Sequence, residues 1–337
     1  MIHNSKSIKK FGKQFLIHRD YSIPRAFSEW KKLELVDGYI LETHPDLAIS
    51  AASSNDNQVI VLGDIFDPSA PEKTNEQIVE TLLQRCSSFS DLEAFVAPLG
   101  GRWILATTMY GKTRLYHDAM GLKPIFYMQS DRGLLVGSQP VLLEAIGATE
   151  FDPTLGEIFT NYDHPPTHWP INTIPYKGVT QLLPNHTLNL QTGSIERYWP
   201  KNPLNPLSEE QAAKGMCSLL TGLIKAMVHR GECVIPLSGG YDSHLLLACA
   251  KPVWDKIKFI TLTGTHLPHH DLSIPRKITK RFGLDYTVFE TAKDNNYAQA
   301  LLENVGNMYS DLSLLGIKAE CMAIGDRMNH SWNDSRN

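Results

Sequence analysis

Apolar residues recur with two different periods along this chain, and the change of period divides it. Upstream of residue 200 they fall in short β-branched or aromatic runs: VIVLGDIF, RWILATTMY, TRLYHDA, PIFYMQ and GLLVGS. Glycines and polar turns separate the runs, which predicts strands joined by tight connections. Helices are expected to interrupt them around Asn75 to Cys86 and around Pro140 to Ile146. The stretch RYWPKNPLNPL then carries Pro200, Pro203 and Pro206, too many to continue a regular element. Residues 1–200 are expected to form an α+β domain with mainly antiparallel pairing.

Downstream the helical period takes over. Ser208-Glu209-Glu210-Gln211 reads as a capping box, in which the serine hydroxyl and the later amide each serve the other's backbone N–H. Met216, Leu219, Leu220, Leu223, Ile224 and Met227 follow at helical spacing. His229 and Arg230 suit the negative end of that helix, and Gly231 its stop. A strand (Cys233 to Leu237), a helix (Asp242 to Ala250) and a strand (Lys258 to Thr263) come next. They are followed by a helix (Ser273 to Phe282) and a strand (Tyr286 to Phe289). Alternation of this kind implies right-handed crossovers and a parallel sheet covered on both faces, so residues 207–337 read as an α/β domain. Pro236 cannot donate a ladder hydrogen bond and is placed where the backbone leaves the sheet.

Composition narrows the class. The chain has 337 residues, 42% of them hydrophobic and 20% charged, with a net charge of -4. That is a folded chain with room for two cores, and its mild acidity points to neither nucleic acid nor an anionic membrane. No apolar run approaches the roughly 18 to 20 residues that span a bilayer. The basic N-terminus has no apolar stretch or small-residue cleavage site, so no export is expected. Cys86, Cys217, Cys233, Cys249 and Cys321 are scattered, odd in number and without paired metal spacing. They read as reduced thiols of a cytoplasmic protein.

The candidate chemistry lies in the crease CVIPLSGGYDSHLLLACA, residues 233–250. A strand-to-helix turn at the carboxyl end of a parallel sheet is where such folds bind ligands, and the helix N-terminus attracts phosphate. Gly239 and Gly240 free the backbone and let an anion approach, while Ser238 and Ser243 offer hydroxyls. Asp242 makes sense as a helix cap, as a Mg²⁺ partner, or as both. The plainer alternative is a flexible turn followed by an N-cap. A Walker loop is excluded, because the Gly-Lys-Ser/Thr ending is absent. His266, His269, His270 and Asp271 fall in an expected loop and read as exposed histidines plus a helix-capping acid rather than as a metal site.

Ser238 to Ser243 resembles the S-G-G-x-D-S pyrophosphate loop of the ATP pyrophosphatases, which cleave ATP between the α and β phosphates to form adenylates. Four further segments resemble the asparagine synthetase family within that group. They are VLGDIFD (F-N-G-E-I-Y-N), RLYHDAMGLKPIFY (L-x-R-D-x-x-G-x-K-P-L-Y-Y), TIPYKGVTQLLPNHTLNL (I-P-G-H-x-L) and RYWP (R-Y-W). GLLVGSQPVLL matches the strand and turn that follow the second of these. The resemblance implies an Ntn-hydrolase-like domain over 1–200 followed by a PP-loop domain over 207–337. It implies ATP and Mg²⁺ as ligands, bound through Leu237, Ser238, Gly239, Gly240, Asp242, Ser243 and Leu262, with Asp242 toward the metal. Leu237 and Leu262 match positions that flank the adenosine, and alternation along the second strand sets the register of Leu262.

Departures from the family pattern carry equal weight. Glutamine-hydrolysing members expose a cysteine as their first residue, whereas this chain opens Met1-Ile2-His3 and its first cysteine is Cys86. Leu62 stands at the oxyanion-hole asparagine, beside Gly63 and Asp64. With nucleophile and side-chain donor both missing, no glutaminase activity is expected, as in the silent N-terminal domains of β-lactam synthetases. Asp118 matches the Arg-Asp of the signature, and reads as a turn aspartate at the bend through Gly121. The segment Met308 to Ala323 resembles the helix preceding the family's S-G-E-G-x-D-E strand, which the chain does not reach. It is expected to be a fragment or a shortened relative.

Two functions follow. One is an ATP-dependent ligase that adenylates a carboxylate and passes it to an amine, with asparagine as the family's default product. The other is a truncated or degenerate relative that binds nucleotide weakly or acts only as a non-catalytic partner. A tRNA thiolase is disfavoured by the lack of a Cys-x-x-Cys pair and of a basic bias. No catalytic residue is assigned, and neither the small-molecule substrates nor the oligomeric state can be read.

Overall fold

A computed structural model describes residues 11–35, 38–155, 172–263 and 269–290. They divide into two compact units, Met1–Asp64 with Arg102–Lys201, and Ile65–Gly101 with Asn202–Ala300.

The first unit rests on two six-stranded sheets. One has the order β10-β8-β9-β1-β3-β2, from Thr180–Gln181, Phe126–Ser130, Gly133–Gly137, Phe15–His18, Ile40–Thr43 and Lys31–Glu34. The other has the order β12-β11-β7-β6-β5-β4, from Ile195–Arg197, His186–Asn189, Lys112–His117, Gly100–Met109, Asn57–Phe66 and Ile49–Ser54. Pairs along both sheets, among them β1 with β3, β4 with β5 and β6 with β7, are antiparallel as expected. Alternation along each strand sends one set of side chains inward. Phe15, Ile17 and Leu41 of the first sheet therefore share a core with Ile60, Leu62, Ile104 and Leu115 of the second. Leu16, Phe126 and Leu135 face the other way and pack with Leu142 and Leu143 of α3 (Pro140–Ala145).

The second unit carries α1 (Asn75–Arg85), α2 (Phe89–Val96), α4 (Glu209–Arg230), β13 (Cys233–Pro236), α5 (Tyr241–Cys249), β14 (Ile257–Thr263), α6 (His269–Phe282) and β15 (Tyr286–Glu290). Helix α2 is absent from the sequence reading. Its eight residues give too few turns for a period to show, although Ser88 caps it by accepting from Asp91 N. The three strands form a parallel sheet in the order β13-β14-β15, with Cys233 opposite Ile257 and Phe259 opposite Tyr286. Cys233, Ile235, Ile257 and Phe259 are buried together with Ile224 of α4 and Leu247 of α5. Val234 points to the other face and is exposed among the described residues.

Helix α4 keeps its predicted capping box, with Gln211 N donating to Ser208 Oγ and Ser208 N to Gln211 Oε1. Its buried face keeps part of the expected stripe, since Ile224 is buried and Leu220 packs against the core. Met216, Leu219 and Met227 are exposed, while Gly222, Ile224 and Ala226 are buried. Small residues let the helix approach Pro68, where a Cβ at Gly222 would lie 2.1 Å from the carbonyl oxygen. Gly231 ends the helix with extended backbone and no left-handed turn.

A candidate phosphate-binding loop

The local sequence explains the crease. Pro236 is the last residue of β13, so the ladder stops there, although Leu237 N still donates to Ile260 O of β14 at 2.7 Å. Thr261 Oγ1 donates to Leu237 O at 2.8 Å and in turn accepts from the Tyr286 hydroxyl at 2.7 Å. The end of the strand is thus tied down by β14 directly and by β15 through Thr261. Helix α5 starts after four intervening residues, with Gly240 in the N-cap position, and no side chain caps it.

Within the turn, hydrogen bonds run inward. Ser238 N donates to Ser243 Oγ at 3.1 Å, and Gly240 N donates to Ser238 Oγ at 3.1 Å. The Ser243 hydroxyl also lies 3.2 Å from Ser238 O and 3.0 Å from Gly240 O. Gly239 N donates to Asp271 Oδ1 of α6 at 2.7 Å, a charge-assisted bond across 32 residues of chain. The two serines, expected as phosphate ligands, here brace the loop. Asp271, expected to cap its own helix, lies in the first turn of α6 and holds Gly239. This contact joins two ends of a βαβ unit, which local reading cannot pair. His269 and His270 open α6 and do not lie in a loop.

Other site residues separate by exposure. Leu237 is 3% exposed and belongs to the core, so its part in any ligand site is to fix the backbone. Leu262 pairs with Phe289 in the β14–β15 ladder. Gly240, Tyr241 and Asp242 are exposed. The open first turn of α5 fits an anion, because the first N–H groups of a helix have no intrahelical partner. Mg²⁺ usually takes one or two carboxylates plus phosphate oxygens, and Asp242 is the exposed carboxylate of that turn. Among the described residues no group of three or more His, Cys, Asp and Glu side chains is arranged to hold a metal ion.

Upstream of residue 200, the residues that the resemblance sets against a glutaminase site have the following surroundings. Leu62 is fully buried in the core and Asp64 is exposed. Gly63 has φ +95, and a Cβ there would lie 2.3 Å from Arg102 O. The Cys86 thiol follows α1 and is buried; burial and then the Asp91 charge push its pKa up, away from the reactive thiolate. Asp118 is 2% exposed and accepts from Met120 N and Leu122 N through one carboxylate oxygen and from Lys123 N through the other. Its carbonyl accepts from Gly121 N at 2.8 Å, where φ is +64. It is the bend-holding aspartate that the sequence suggested. Burial pushes the neighbouring His117 toward the neutral form, and its Nε2 donates to Leu183 O at 2.9 Å. The residues Met1-Ile2-His3, His266, Cys321, Met308 to Ala323 and the tail lie outside the described residues.

Among the described residues no helix is long and apolar enough to cross a membrane. No protein-family profile matches this sequence, and no curated protein matches it. Solved structures give a faint likeness. A glutamine-dependent NAD+ synthetase from Acinetobacter baumannii, in complex with ADP, has 16% identity and a TM-score of 0.25 over 41% of this chain. The glutamine phosphoribosylpyrophosphate amidotransferase from B. subtilis, complexed with ADP and GMP, has 11% identity and a TM-score of 0.34 over 88%. The allosteric regulatory enzyme of purine biosynthesis has 10% identity and a TM-score of 0.34 over 86%. The chain spans 27%, 66% and 76% of their respective lengths. Scores this low do not establish a shared fold, and the functional reading rests on the loop.

Proposed function

We propose that the turn from Ser238 to Ser243 holds the polyphosphate of ATP, and that the chain is an amide-forming ligase of the asparagine synthetase type. It would activate a carboxylate as its adenylate, release pyrophosphate, and pass the acyl group to an amine without hydrolysing glutamine itself. In this reading residues 1–200 are a silent Ntn-hydrolase-like domain and residues 207–337 a PP-loop domain. The observation that carries it is a Gly-Gly turn at the carboxyl end of a parallel strand, facing a helix whose N-terminus has no side-chain cap. The sequence resemblance of the loop supports it.

The chain's own part is binding and orientation. First-turn amides of α5 would take phosphate oxygens, and the bonds at Leu237 would keep those amides in place as charge moves onto the leaving pyrophosphate. Asp242 would hold Mg²⁺, which supplies counter-charge for the phosphates when bound. ATP–pyrophosphate exchange with aspartate and other carboxylates tests the reading. Exchange that falls on the order of 10²-fold in Asp242→Ala or Ser243→Ala supports it. Absence of exchange together with absence of an ATP-dependent thermal shift rejects it.

A second reading, a relative that only binds nucleotide or serves as a non-catalytic partner, is favoured by one observation. The amides of Ser238, Gly239 and Gly240 are all bonded within the protein. A thermal shift with ATP but no exchange with any carboxylate would select it.

A further inference from the structure

The loop proposed to bind an anion already has one. Of the three hydrogen bonds that the amides of Ser238, Gly239 and Gly240 donate, two go to neutral serine hydroxyls five residues away or less. The third uses a carboxylate brought from a different helix to the first glycine, at the shortest distance of the three. Asp271 reaches across from α6, half-buried, while Gly240, Tyr241 and Asp242 on the other side of the turn are exposed. A formal negative charge bonded to the backbone amide of a Gly-Gly turn has the chemistry of a phosphate oxygen in that position.

We infer that Asp271 is a built-in stand-in for the ligand's phosphate: it holds the Gly239 amide while the loop is empty and is exchanged for an incoming polyphosphate. This rests on the phosphate-binding reading of the loop. It reconciles an amide that is satisfied in the resting loop with a turn that takes an anion. The carboxylate keeps Gly239 N–H from collapsing onto another acceptor, and its charge sets a threshold that a singly charged anion does not pass. A polyphosphate, with several charges to distribute over the first turn of α5, overcomes it.

The roles of stand-in and of simple brace differ in the sign of one effect. Asp271→Asn keeps a carbonyl acceptor for Gly239 but removes the charge. Calorimetric titration of the full chain with inorganic pyrophosphate at low salt should show binding on the order of fivefold tighter in Asp271→Asn than in wild type. The same variant should melt a few degrees lower, because a charge-assisted bond has become a neutral one. Opposite movement of affinity and stability is the expected signature. Equal or weaker pyrophosphate binding in Asp271→Asn overturns the inference and leaves Asp271 a brace. Pyrophosphate binding by neither protein removes the loop reading itself, and this inference with it. If the variant does not fold, the wild type still decides. The Gly239 amide resonance should move on titration with pyrophosphate, and an unmoved resonance at saturation overturns the exchange.

Discussion

Asp118 and Glu42 show two ways of burying a carboxylate. Asp118 gives both oxygens to three amides of its own turn. Charge-assisted bonds contribute more than neutral ones, so Asp118→Ala should lower stability by about 2–4 kcal/mol in urea denaturation, without change in any nucleotide binding. Its role was legible because donor and acceptor lie within five residues. Glu42, 1% exposed, accepts from His18 Nε2 at 3.2 Å and Lys32 Nζ at 2.9 Å, from strands on either side. Burial alone would raise its carboxyl pKa, but the hydrogen bonds and charges of His18 and Lys32 outweigh burial and hold it below the ordinary value. A depressed folded pKa adds stability above the ordinary carboxylate pKa, and the contribution is lost as pH falls through the folded value. The stability gap between wild type and Glu42→Gln should therefore narrow between about pH 6 and about pH 3. A constant gap across that range would contradict the pairing. Nothing local marks this residue, because its partners meet only when β1, β2 and β3 align.

At the scale of elements, helix α4 offers a matched test of packing against propensity. A Cβ added at Gly215 would have nothing within 4 Å, whereas one at Gly222 would run into Pro68 O. Alanine favours helix over glycine by about 1 kcal/mol, so Gly215→Ala should stabilise by roughly 0.5–1 kcal/mol. Gly222→Ala should instead destabilise by about 1–3 kcal/mol, because the intruding methyl must displace backbone. Equal effects of the two substitutions in thermal melts would show that α4 does not approach Pro68. The helix, its cap and its ends were legible from local signals. Its buried face was legible only in part: Ile224 of the predicted stripe is buried and Leu220 packs on the core, but Met216, Leu219 and Met227 satisfy the same helical period and are exposed.

For the whole molecule, the break in period near residue 200 is only part of the division. Residues 65–101 join the unit that begins at Asn202. Arg230, at the end of α4, donates to Lys73 O at 2.8 Å and to Asn75 Oδ1, and lies over the Phe66 ring at 4.5 Å. Gly100 approaches Leu223 so closely that a Cβ would lie 2.4 Å from its Cδ2. A fragment of residues 1–200 should therefore be cut by protease first within 65–101, while the intact chain resists there. Protection of that segment in the fragment would show that it folds without α4. Arg230→Ala should destabilise the intact chain by about 2–4 kcal/mol, since it removes the bonds to Lys73 O and Asn75 Oδ1 and the contact with the Phe66 ring.

The sequence by itself determined strands β5 to β9 and β13 to β15, most of the helices, the Ser208 capping box, the antiparallel-then-parallel order and the glycine turn at the end of β13. Each of these depends on spacing within one or two turns or strands of chain. Only the tertiary structure decided that Asp271 holds Gly239, that Glu42 lies between His18 and Lys32, and that α4 turns its small residues inward. Those contacts join residues far apart in sequence, and their energies depend on burial and alignment that no short stretch of chain contains.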